Sequence, residues 1–168
     1  MKIIKLLSTA ILISISLTSV GQKKVTNTNT QFKGLWILDK YETRDTVSGK
    51  WSNEPNRMGY VGYILFDGIG HVAIQITPAD YHEFDINKKG DSTGMKVAEK
   101  YHSNNLIYFA DYKVDGNTME HKVISSTNPE SIGAILMRDF EIIGKTLFLT
   151  PRNKLNGSKI RMKWVKVP

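Results

Sequence analysis

The chain contains no cysteine, which excludes a disulfide framework, a thiol nucleophile and a thiolate metal site together. Histidine is scarce. His71, His82, His102 and His121 are the four, and none stands in the H-x-H or H-x-x-x-H spacing that brings two imidazoles to one metal. The acids of "DYHEFD" at Asp80 to Asp85 lack the glycine and regular alternation of a calcium loop and read as a solvated loop. No G-x-S-x-G elbow exposes a serine, although Ser125, Ser126 and Thr127 are adjacent, so hydrolase chemistry is disfavoured. A phosphate loop and a dinucleotide fingerprint are also missing. The expectation is a protein with no metal and no cofactor.

Nor is there a run of one charge. Lys and Arg number 23 against 16 Asp and Glu, a formal charge of +7, but the basic residues are scattered over alternating segments. Only "QKKVTNTNTQ" forms a basic tail, read as a flexible, solvated linker over residues 22–31 rather than a nucleic-acid arm. No nucleic-acid partner is expected.

The one long apolar run is at the start. "MKIIKLLSTAILISISLTSVG" has Lys2 and Lys5, an apolar core from Ile3 to Leu17 diluted by hydroxyls, and small residues at Ser19 and Gly21. That is the pattern of a secretory signal over residues 1–21, cleaved before Gln22. The run is short for a membrane span, and no basic stop-transfer cluster follows it. The expected product is periplasmic or extracellular, with no stable membrane insertion. Removing 21 of 168 residues leaves 147, the size of one domain; without disulfides it must hold by burial.

From Phe32 to Pro168 turn signals recur at short intervals, and the segments between them alternate with period two, which is an all-β pattern. Eight strands are expected: Leu35–Arg44, Tyr60–Phe66, His71–Thr77, Asn105–Val114, Thr118–Ser125, Gly133–Ile142, Thr146–Pro151 and Ser158–Val167. Four tight connections join them in pairs, through Asp67–Gly70, Asp115–Asn117, Ile143–Lys145 and the two-residue signal Asn156-Gly157. Sequential antiparallel strands form a meander, and eight are enough to close into a small barrel. An open sandwich is the alternative. Between the third and fourth strands Met95, Ala98 and Tyr101 recur at three-residue spacing after Ser92 and Thr93, which predicts a short helix over Thr93 to His102.

Parity assigns the inward faces. Asp111 and Lys113 point out, which leaves Tyr108, Ala110 and Tyr112 inside. In "VDGNTMEHKVISS", Glu120 and Lys122 point out, so Met119, His121 and Val123 face in. Leu136, Phe140 and Ile142 carry Arg138 inward with them. Val72, Ile74, Ile76, Leu147, Leu149, Ile160, Met162 and Trp164 complete an apolar interior. On the first strand Trp36 and Leu38 continue to Lys40 and Glu42 unless a bulge resets the face. The expected polar members of the interior are therefore Tyr108, Tyr112, His121, Arg138 and Glu42. A buried arginine requires a partner, which makes Glu42 or the ring of Trp36 its expected contact.

"FKGLWILDKYETRD" resembles the opening G-x-W strand of calycin barrels, with Gly34 and Trp36 at the positions that plug the barrel floor. "GYVGYILFDGIGHVAIQI", "YFADYKVDGNTMEHKV" and "GAILMRDFEIIGKTLFLT" resemble successive blocks of the small bacterial and fungal lipocalin-like domain family. The resemblance covers most of residues 32–168. It implies an eight-stranded antiparallel up-and-down barrel with a helix between its third and fourth strands and an interior pocket. Members bind apolar or aromatic molecules, or catalyse isomerisation, cyclisation or hydration without a metal.

The expected function is the binding of a small apolar or aromatic molecule, with the tyrosines stacked on it and His121 or Arg138 orienting its polar end. Two other classes stay open. One is a cofactor-independent isomerase or cyclase in which His121 is the general acid or base; the other is a structural or interaction domain whose barrel is filled by its own side chains.

Overall fold

The computed structural model describes residues 28–78, 105–152 and 159–168. Nine strands follow in chain order: β1 (Gly34–Arg44), β2 (Trp51–Asn53), β3 (Val61–Phe66), β4 (His71–Thr77), β5 (Leu106–Asp115), β6 (Thr118–Ser126), β7 (Ile135–Ile143), β8 (Thr146–Pro151) and β9 (Ile160–Lys166). All pairings are antiparallel, and neighbours from β3 to β9 pair in sequence. β1 pairs with both β3 and β9, which closes eight strands into a barrel. The ninth, β2, arises inside the connection from Asp45 to Met58 and flanks the far half of β1.

Among the described residues the helical segments are 3-10 turns, at Thr28–Gln31, Pro55–Arg57 and Pro129–Ser131. The helix expected over Thr93 to His102, the Asn156-Gly157 turn and residues 1–27 lie outside the described residues.

The two barrel ends differ. One carries the tight hairpins, whose turns rest on glycines in left-handed conformation, Gly68 at φ 84° and Gly116 at φ 56°. At the first of these, Asp67 Oδ1 accepts the backbone N–H groups of Ile69, Gly70 and His71. Phe32 plugs this end. It is fully buried, with its ring 5.4 Å from Phe66, 5.0 Å from Phe140 and 6.2 Å from Tyr112. Its carbonyl accepts from Trp36 Nε1 at 2.7 Å, tying the segment before the barrel to the first strand. The opposite end carries the longer connections.

Strand alternation buries the expected residues on β4 to β9, Val72, Ile74, Ile76, Ala110, Met119, Val123, Leu147, Leu149, Met162 and Trp164, and Ile64 on β3 joins them. Two bulges modify it. On β1 the register with β9 shifts between Leu38 and Lys40, so Asp39 is the extra residue. On β5 and β6 it shifts at Phe109/Ala110, where Ile124 is the unpaired residue opposite.

Candidate functional site

The bulge at Asp39 decides which polar side chains share the barrel interior. Before it, Trp36 and Leu38 are buried; after it Tyr41, opposite the inward Met162, takes the interior position. Glu42 stands opposite Arg161 on the other face, so it is not a lumen residue and does not meet Arg138. Its carboxylate accepts Arg161 Nε at 2.6 Å and lies 3.4 Å from Lys40 Nζ. The Arg161 guanidinium is in turn held between the rings of Trp51 and Phe148, each 4.3 Å from its carbon. Glu42 is buried because this outer stack covers it, not because it lines a cavity. Glu42→Gln is therefore expected to cost about 1 to 2 kcal/mol by weakening a charged hydrogen bond. Binding of an apolar fluorescent probe in the barrel should not change; urea unfolding with a parallel probe titration checks both.

Arg138 does not stack on Trp36 either. The cation over that ring is Lys166, with Nζ 5.1 Å from the centroid. Tyr112 belongs to the hairpin end, where its ring lies 5.0 Å from Phe66 and its hydroxyl donates to the Asn29 carbonyl at 3.2 Å. Burial, followed by the charge of Asp67, pushes its hydroxyl up to about 12.

Tyr108, His121 and Arg138 do come together. Each is buried, on β5, β6 and β7 respectively. Arg138 has only donors, so its Nη2 donates to the Tyr108 hydroxyl at 3.0 Å. Burial raises that phenol to about 12, with the Arg138 charge pulling the other way, and the proton stays on. Its acceptor is assigned as His121 Nδ1, 2.8 Å away, because Met119 Sδ beside the other ring nitrogen can only accept and so places the ring hydrogen on Nε2. Burial first, and the Arg138 charge second, hold His121 well below its ordinary value, which leaves the imidazole neutral. With Nδ1 accepting, Nε2 carries the ring hydrogen and meets Met119 Sδ at 2.9 Å. The hydrogen bonds run one way, from Arg138 through Tyr108 and His121 to Met119, and both nitrogens of His121 are engaged.

The guanidinium at the head of this chain is less fully satisfied. Among the described residues its bond to Tyr108 is the one hydrogen bond it makes, its Nε is buried without a partner, and no carboxylate pairs with it. Towards the long-loop end lie two residues that parity reading missed. Tyr41 and Tyr60 approach at 5.8 Å, and the exposed Arg57 stands over both rings at 4.9 and 5.7 Å. Burial raises the Tyr41 hydroxyl, while Arg57 and Arg138 lower it. A shifted register is the one sign that would have found Tyr41, and a one-residue bulge leaves no mark in hydrophobic alternation.

An antiparallel barrel closed by Phe32 at one end, with a buried polar cluster in its interior, defines a calycin-type ligand-binding fold. The family model of the lipocalin-like domain matches residues 33–166, and the chain belongs to that family. A search of the curated proteins finds no match. No helix among the described residues is long and apolar enough to cross a membrane.

Proposed function

We propose that this protein is exported and binds a small apolar or aromatic molecule inside the barrel, with Arg138 orienting the polar end of that molecule. The supporting observation is the buried guanidinium, which makes one hydrogen bond among the described residues and has an unpartnered Nε. A buried polar group left unbonded costs free energy, and a charged one costs more. A protein that keeps an arginine in this state gains when a ligand completes its bonds. The buried apolar side chains of Ile74, Ile76, Val123 and Leu149 on the barrel interior would suit an apolar body, and Tyr41 and Tyr108 would supply ring faces. His121 serves as the anchor of Tyr108 in this reading. Its two ring nitrogens meet Tyr108 and Met119, so what it holds in place is the Tyr108 hydroxyl.

The test uses the full chain expressed with its leader. Protein recovered from the exported fraction should begin at or near Gln22 by N-terminal sequencing. Native mass spectrometry should show a small-molecule adduct, or the emptied protein should bind N-phenylnaphthylamine with a rise in fluorescence. An intact Met1 on membrane-bound protein would refute export. No adduct and no probe binding would refute the ligand-binding role.

A further inference from the structure

We infer that the bound molecule is an acid, a carboxylate on an apolar body, whose oxygens take the N–H groups of Arg138 that have no partner among the described residues. This rests on the small-molecule reading above and names its chemical class.

Charge carries the argument. A neutral carbonyl on the ligand would satisfy the Nε hydrogen bond but leave the buried positive charge uncompensated. Among the described residues, the side chains bonded to or beside the guanidinium do not compensate it. Tyr108 is a phenol that accepts from Arg138 and donates onward to His121, and Tyr41 is a second phenol. Both of these groups are uncharged, as is the imidazole beyond Tyr108. The acid that strand parity aimed at this place, Glu42, is turned to the outer face by the Asp39 bulge and is held by Arg161 and Lys40. A carboxylate matches the planar guanidinium fork in shape as well as charge, which a point acceptor does not.

A second cation strengthens the inference. Arg57 lies exposed at the long-loop end, held over Tyr41 and Tyr60. A buried guanidinium and an exposed one, the second 4.9 Å from the Tyr41 ring and both lowering the Tyr41 hydroxyl against its burial, favour an anion over a neutral or cationic molecule. The outer arginine raises the local concentration of the anion, and the inner one holds it.

The experiment compares matched acids and alcohols on the wild-type protein. Decanoate is set against decanol, and naphthoate against naphthol, each displacing N-phenylnaphthylamine at neutral pH. At least one acid should bind tenfold or more tightly than its alcohol, and the pair that responds separates a straight-chain ligand from an aromatic one. Arg138→Met keeps the volume and removes the charge, and it should abolish that preference. The wild-type comparison decides the matter even if the variant does not fold. Equal binding of acid and alcohol in both pairs, or a preference that survives in a folded Arg138→Met, overturns the acid assignment and leaves small-molecule binding standing. Failure of the probe and of all four compounds to bind overturns both.

Discussion

Trp36→Ala is expected to destabilise the protein by about 3 to 5 kcal/mol, the cost of truncating a fully enclosed aromatic side chain. Trp36 is 1 % exposed, and three contacts depend on it. Its ring fills the hairpin end of the barrel, its Nε1 holds the Phe32 carbonyl at 2.7 Å, and its face carries Lys166. Loss of the indole therefore leaves a cavity and also releases the segment whose Phe32 ring packs on Phe66, Tyr112 and Phe140. In a domain of this size the thermal midpoint should fall by on the order of 10 °C. Ile37, the next residue along β1, is 41 % exposed on the outer face, and Ile37→Ala should cost less than about 1 kcal/mol. Calorimetry on the pair checks the assignment. A Trp36→Ala loss no larger than that of Ile37→Ala would place the indole outside the core.

The contrast between Trp36 and Ile37 was legible in the sequence, and so was most of the barrel. Where a strand keeps strict alternation, the face of each residue follows from its neighbours' charges, and β5 illustrates it: Tyr108, Ala110 and Tyr112 are buried while Phe109, Asp111 and Lys113 are exposed. The same logic placed Arg138 and His121 inside. It failed on β1 because an inserted residue reverses parity without changing composition, and past Asp39 the bulge turns Tyr41 inward in place of Lys40 and Glu42. The error propagated. Arg138 was expected to meet Glu42 or the ring of Trp36, Tyr41 was overlooked, and the acid expected in the interior lies on the outer face, so that no carboxylate pairs with Arg138 among the described residues.

Tyr112 shows a second limit. Its face was right, yet its hydroxyl turns to the hairpin end while that of Tyr108 meets Arg138 and His121, and where a side chain ends along the barrel does not follow from alternation. Tyr108 sits opposite Ser126 near the long-loop end of β6, whereas Tyr112 sits opposite His121 and reaches the Asn29 carbonyl at the hairpin end. Two tyrosines four residues apart on one strand thus do different work: one caps the floor and the other couples Arg138 to His121. The outer stack of Trp51, Arg161 and Phe148 was illegible for a related reason, since β2 is a three-residue strand inside a connection, too short to show a period.

Replacing His121 by Phe should lower stability at neutral pH and flatten its dependence on pH. The ring keeps its bulk, so packing changes little, but the buried Tyr108 hydroxyl proton loses its acceptor. That stranded donor costs about 1 to 3 kcal/mol. The pH effect follows from the direction of the His121 shift. Its folded-state value lies well below the ordinary one because burial and the Arg138 charge oppose protonation. Below about pH 6.5 the unfolded chain takes up a proton at this position that the folded chain refuses, so wild-type stability falls as the pH drops, by at most about 1.4 kcal/mol per pH unit from this one group. His71 acts oppositely. Asp67 raises it, so its contribution is present below its unfolded value and is lost as the pH rises through its folded value, but it is shared by both proteins and cancels in the comparison. The deficit of His121→Phe should therefore be largest near about pH 7.5 and shrink towards about pH 5.5. Denaturant midpoints of the two proteins across that range measure it, with N-phenylnaphthylamine binding followed in parallel. Parallel stability profiles would show that His121 takes up a proton as readily folded as unfolded, and would dismantle the one-way chain from Arg138 to Met119. A loss of probe affinity without a loss of stability would return His121 to the ligand.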